Sequence, residues 1–273
     1  MKIRPLYLLI FFLLGFVAIE LFYTRIPFPY EKTVRTMGTT VRVKVVGPGA
    51  PHWTKRAIDE ISRIDRLFSK FNPDSEISLL NRLAGRAPLQ VSADTFNVLK
   101  LAEEVKRASH GAFDVSYGTQ RIDLGGIGKG YAVESARRLL LKKEIKSAII
   151  DMHSSIAVIG DGWKVGVRDP RDKDKLLGVV VLNDGEALST SAQYEQPGHI
   201  IDPRTGKPAA KCLSATVIAR DAALADALST AVFVLGPKKG IKLIKRWPQV
   251  AALLVDAKGN VTTTNDNSGF KLR

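Results

Sequence analysis

The chain of 273 residues has one cysteine, Cys212. One thiol excludes an intrachain disulfide framework and any CxxC metal site, and it reads as a small buried apolar residue. Internal repeats and low-complexity segments are missing. So are both common phosphate-loop spacings, GxxxxGK[ST] and GxGxxG. Acidic residues are scarce: Asp and Glu number 27 against 41 Lys and Arg, a net charge of +14. The basic residues are scattered in short pairs, without a basic stripe interleaved with aromatics. That pattern argues against nucleic acid as the partner. It leaves an anionic membrane surface, a polyanionic small ligand, or a solvated positive surface.

What is present begins with 45 % apolar residues, enough for a packed core. Near the N-terminus, Lys2 and Arg4 precede an apolar run from Pro5 to Tyr23 broken only by Glu20. Nineteen residues of this kind suffice for one transmembrane helix. The flanking charges favour an N-in orientation with the body outside, in a periplasm-like space. A signal peptide without an A-x-A-like cleavage site is the alternative, and both readings export the body. Residues 1–30 are therefore expected to form an anchor or signal with its linker, and residues 31–273 the functional domain.

Along the body, the linker "IPFPYEKT" leads to the strand "TTVRVKVVG". "HWTKRAIDEISRIDRLFSKF" places Ile58, Ile61, Ile64, Leu67 and Phe68 at helical spacing. A second helix runs from the N-cap Ser92 to Gly111, and a third from Gly130 to Leu141. The strands "SAIID", "IAVIG", "WKVGVRD", "LGVVVL", "EALSTS" and "SATVIAR" follow. "DAALADALSTAVFVLG", a further helix and the strand "VAALLVD" finish the chain. Strands and helices mix without βαβ alternation, which predicts an α+β fold with mixed sheets and packed helices.

Three stretches carry chemistry. "DLGGIGKGYAVESA", Asp123 to Ala136, has four glycines in eight residues and then a helix. Its exposed N–H groups, the helix dipole and Lys129 would suit a phosphate; a tight turn with no ligand is the alternative. In "ADALSTA", Asp226 and Thr230 stand four apart on one helix face, and a carboxylate and hydroxyl so placed suit a hard cation such as Mg²⁺. Thr230 bonding back to the Asp226 carbonyl is the plainer reading. "HIIDPRTGKP" puts His199 at a strand end, before a turn, as a candidate general base.

Together with "MGTTVRV", "IDRLFSKFNPDSEISLLN", "GAFDVSYG", "ALSTSAQYE" and "ALLVD", these stretches resemble the successive motifs of the FAD:protein FMN transferases, the ApbE-type flavin transferases. The resemblance spans about Thr36 to Asp256. It implies a two-lobed, T-fold-like α+β domain. It implies that Met37, Ser75, Asp114, Gly125, Gly126, Lys129, Glu134 and His199 contact FAD, and that Gly128 (through its carbonyl), Asp226 and Thr230 hold Mg²⁺. The reaction implied is transfer of FMN from FAD to a Thr or Ser hydroxyl of an acceptor protein, with release of AMP. The rivals are an FAD pyrophosphatase and a family member that binds FAD or another nucleotide without transfer. Two departures stand out. Only "VSYGTQRI" separates "GAFD" from "DLGG", where the family has a longer segment, and Ser154 and Ser155 stand where the family has two glycines.

Overall fold

The computed structural model of the chain describes residues 28–83, 86–116, 121–193, 198–264 and 270–272. The expected membrane span, Pro5 to Tyr23, lies outside these residues. Among the described residues no helix is long and apolar enough to cross a membrane.

A hairpin opens the described chain: β1 (Pro29–Thr36) and β2 (Thr39–Val46), in register from Pro29↔Val46 to Thr36↔Thr39. β1 corrects the expected linker. It tolerates Pro29 and three charged residues, Glu31, Lys32 and Arg35, because it is an edge strand, and its residues are mostly exposed. Helix α1 (Ala50–Phe68) follows, starting with Pro51 in its first turn and burying Ala57, Ile58, Ile61, Ile64 and Phe68. α2 (Glu76–Leu83) and α3 (Ala93–Ala108) come next, and the Ser92 hydroxyl caps α3 by accepting from Thr95 N. α4 (Gly128–Leu141) starts two residues before its expected position.

The strands β3 (Ser147–Asp151), β4 (Ser155–Ile159), β5 (Trp163–Asp169), β6 (Asp172–Leu182) and β7 (Ala187–Ala192) form the middle of the chain. A small hairpin, β8 (Ile201–Asp202) with β9 (Lys207–Pro208), precedes β10 (Cys212–Ala219). α5 (Ala222–Leu235), α6 (Pro237–Ile244), β11 (Ala251–Asp256), β12 (Val261–Thr263) and β13 (Phe270–Leu272) end it.

Eight strands make one antiparallel sheet in the order β1-β2-β3-β4-β7-β10-β11-β12, and β13-β6-β5 form a second, smaller sheet. Strand alternation divides the core in two. On β4, Ile156 and Val158 pack with Val165, Val167, Val180 and Leu182 of the small sheet. Ala157 and Ile159 face the other way, into the cluster built by the helices. The result is three layers: helices, large sheet, small sheet. The helix-side core is one continuous cluster from Val41 to Leu254.

Candidate functional site

The glycine-rich loop is held from below by side chains standing in for a strand partner. The Asn81 amide donates to Ile122 O and accepts from Ile122 N, at 2.9 and 2.5 Å. Asp123 then accepts Gly125 N on Oδ1 (2.9 Å) and pairs with Lys70 Nζ on Oδ2 (2.6 Å). Leu124 O accepts from both Ile127 N and Gly128 N, which closes the turn into α4.

Two of the four glycines approach protein, not open space. A Cβ on Gly130 would lie 2.2 Å from Ala222 O and 2.5 Å from Asp226 Cβ, so this glycine is where α4 presses on α5. A Cβ on Gly126 would lie 3.1 Å from the Phe113 ring and 3.2 Å from Thr230 Oγ1. Gly128 is roomier; its Cβ would meet Leu124, Met37 and Phe68 at 3.6 to 3.9 Å.

That contact brings the second predicted feature to the first. Asp226 is buried, and its Oδ2 accepts the Gly130 N–H at 2.8 Å. The carboxylate thus caps the N-terminus of α4 from the middle of α5. Burial pushes its carboxyl up from the ordinary value; the Lys129 charge and hydrogen bonds from Gly130 N and Ser155 pull the other way without prevailing. Thr230, one turn on, has its Oγ1 3.1 Å from Ser191 Oγ and 3.2 Å from where a Cβ on Gly126 would lie. Among the described residues no three His, Cys, Asp or Glu side chains gather as a metal cluster. A cation here would have one carboxylate with hydroxyl and carbonyl oxygens. That all-oxygen, water-retaining set fits Mg²⁺ and does not fit zinc.

Gly128, whose carbonyl is the expected third ligand, is the buried first residue of α4.

Met37 reaches the same place from the hairpin tip. Its φ is +50°, followed by Gly38 at +70°, a left-handed pair that a methionine rarely adopts. Asp65 holds it there: Oδ2 accepts from Met37 N and from Thr36 Oγ1, both at 2.9 Å. Asp65→Ala is expected to cost about 1–3 kcal/mol in a denaturant melt, since both donors lose their acceptor. Asp65→Asn, which retains an acceptor, is expected to lose less.

The structure gives other predicted residues different surroundings. Ser75 is buried as the cap of α2, donating to Ser69 O (2.5 Å) and accepting from Ser78 N (3.0 Å). Glu134 lies two turns along α4 from the loop. It binds Arg137 (2.6 Å), Arg138 (3.2 Å) and Ala222 N (3.0 Å), latching α4 to the start of α5. These bonds tie Ser75 and Glu134 to their neighbours within the protein. Asp114 pairs with Lys106 at 2.9 Å and accepts from Ser116 N and Oγ. Burial raises its carboxyl, but Lys106 and Ser116 outweigh it and hold it below the ordinary range. Lys129 is half-buried, and Gly125 is exposed in the turn.

His199 is exposed and follows Gly198. Its segment is tied to the end of β7 by Gln193, whose amide donates to Ala209 O (2.6 Å) and accepts from Gly198 N (3.4 Å). Gln193 stands two residues beyond Ser191, which touches Thr230.

The expectation about lost glycines also shifts. The left-handed residue in "DMHSS" is His153, at φ +61°, and neither Ser154 nor Ser155 has a positive φ. Ser155 is fully buried and supplies a hydroxyl to Asp226. Asp65, Asn81, Ser155 and Ser191 were missed by sequence reasoning. Asp65 did leave a signal, since it sits within the apolar stripe of α1 between Ile61 and Phe68.

An eight-stranded antiparallel sheet carrying helices on one face and a small sheet on the other, with a glycine-rich helix N-terminus capped by a buried aspartate, defines the class of protein. The sequence profile of the ApbE family matches residues 37–121 and 118–254, and the chain belongs to that family. Two solved structures share the fold: an ApbE protein from Thermotoga maritima (26 % identity, TM-score 0.80, covering 87 % of this chain and 97 % of that one) and a flavin transferase ApbE from Vibrio cholerae (21 %, 0.79, 89 % and 98 %). A curated FAD:protein FMN transferase from Klebsiella pneumoniae (strain 342) is 25 % identical over 289 positions, covering 81 % of this chain and 83 % of that protein. The alignment is longer than this chain, so the relative carries extra segments. The profile match breaks at 118–121, within the short connection before the glycine-rich loop.

Proposed function

We propose that this chain is a Mg²⁺-dependent FAD:protein FMN transferase that moves FMN onto a Thr or Ser hydroxyl of an acceptor protein and releases AMP. The observation that carries this reading is the meeting of Asp226, Thr230 and the glycine-rich loop around Gly126, in a chain of the ApbE family. The body is exported, with residues 1–30 as its anchor or signal.

In this reading the N-terminus of α4 and Lys129 face the pyrophosphate of FAD, where fixed positive charge offsets the repulsion met by an incoming oxygen. Asp226, Thr230 and the Gly128 carbonyl would hold Mg²⁺, which when bound supplies charge neutralisation at the phosphates. Met37 and Phe113 shape the wall of the loop. His199 takes the proton of the acceptor hydroxyl as its oxygen bonds to the FMN phosphorus and the P–O bond to AMP breaks.

His199→Ala is expected to slow transfer by about 10²–10⁴-fold while FAD affinity changes little, the mark of a group used in the transition state. A defect in FAD affinity alone would make His199 a binding residue. The function itself is tested by following AMP with FAD and Mg²⁺ present. AMP that appears only with an acceptor supports transfer; AMP and free FMN without one would indicate a pyrophosphatase.

A further inference from the structure

The hydroxyls beneath α5 form a chain whose direction follows from counting protons. Ser229 Oγ lies 2.8 Å from the Asp226 carbonyl oxygen, which can only accept, so the one proton of Ser229 is committed there. Ser191 Oγ lies 2.8 Å from Ser229 Oγ. With the Ser229 proton spent, the proton in that contact comes from Ser191. Ser191 Oγ also lies 3.1 Å from Thr230 Oγ1, and with its own proton spent it accepts from Thr230. The Asp226 carbonyl, 3.4 Å from Thr230 Oγ1, draws the same proton inward as well. Ser229 is fully buried and Ser191 is 9 % exposed, so little solvent competes for these bonds.

Thr230 Oγ1 also approaches the glycine-rich loop, where a Cβ on Gly126 would lie 3.2 Å away. With its proton turned inward, the hydroxyl offers the loop only lone pairs. A hard cation needs this orientation, because a freely rotating hydroxyl would spend part of its time presenting its proton. The second ligand is prepared in the same sense. Ser189 donates to Ser155 Oγ at 3.1 Å, and the Ser155 hydroxyl goes to the Asp226 carboxylate.

We propose that Ser191 and Ser229 are positioning residues, which order the Thr230 hydroxyl so that its lone pairs face the glycine-rich loop as a ready ligand for a divalent cation. The proposal rests on the cation reading given above. Groups that orient metal ligands typically contribute about 10–100-fold in metal affinity, so the effect is measurable.

The test is Mn²⁺ binding to the full chain with FAD present, from the electron paramagnetic resonance of free Mn²⁺. Ser191→Ala is expected to weaken binding about 10-fold, with an unchanged melting temperature. Ser191→Thr, which keeps the hydroxyl, is expected to bind as the parent does. In a Thr230→Ala background, Ser191→Ala should add nothing, because its effect passes through Thr230. Undiminished binding by Ser191→Ala would overturn the proposal, as would an equal loss in both backgrounds. If the parent chain itself binds no Mn²⁺, and Asp226→Asn behaves identically, the cation reading fails and this inference fails with it.

Discussion

Asp226→Asn is expected to abolish nearly all transfer while leaving the metal-free protein as stable as the parent, or more so. The two halves of that result separate two tasks of one side chain. As a cap, Asp226 accepts the buried Gly130 N–H, and the asparagine carbonyl oxygen can do the same at nearly the same volume. As a charge, the carboxylate is buried in a setting that disfavours ionisation, with Lys129 as the nearby compensating charge. Removing such a charge while keeping its shape is commonly neutral or stabilising. The cation, however, loses its only carboxylate. A transfer rate at least about 10²–10³-fold lower is expected, the scale seen when one preorganised electrostatic contact to a transition state is removed. Asp226→Ala is a blunter variant, because it also orphans Gly130 N at a cost of about 1–3 kcal/mol. Rates near those of the parent in Asp226→Asn would remove the metal assignment.

The second large effect is at Gly130. Gly130→Ala would set its methyl group 2.2 Å from Ala222 O and 2.9 Å from Ala222 C, both backbone atoms that no rotamer change can move aside. α4 and α5 would have to separate, and the Gly130–Asp226 bond lies on that seam. A loss of about 3 kcal/mol or more is expected in a denaturant melt, the upper end of overpacking costs. The control is Gly128→Ala, two residues earlier. Its methyl group would find neighbours at ordinary distances of 3.6 to 3.9 Å, and alanine favours the helix by about 1 kcal/mol. If the two alanines destabilise equally, the close approach of α4 to α5 at Gly130 is wrong.

Long periodic elements were legible in the sequence. The stripe Ile58, Ile61, Ile64 and Phe68 predicts the buried face of α1, and Ser92 predicts the start of α3. β1 was not legible, because an exposed edge strand with a proline and charges has no apolar alternation to read. The pairing of Asp226 and Thr230 was read from their spacing, but what faces them was not. Whether a glycine faces a ligand, a neighbouring helix or a side chain is tertiary information. The run suggested an anion site as a whole, but Gly130 serves helix packing, and a side chain at Gly126 would meet Phe113 and Thr230. Ser75 and Glu134 show the same limit: their places in the motifs say nothing of the caps and ion pairs that occupy them. Asn81 and Ser191 act across the fold, and local pattern carries no trace of such partners.

The central claim is that this site moves FMN from FAD to another protein. The most direct measurement is the intact mass of an acceptor carrying a flavinylation-type threonine, after incubation with the chain, FAD and Mg²⁺. A gain of one FMN, lost when EDTA is added and lost in Asp226→Asn, is the predicted result. An acceptor of unchanged mass across several such proteins, with FAD bound to the chain by fluorescence, would contradict transfer and leave a binder in its place.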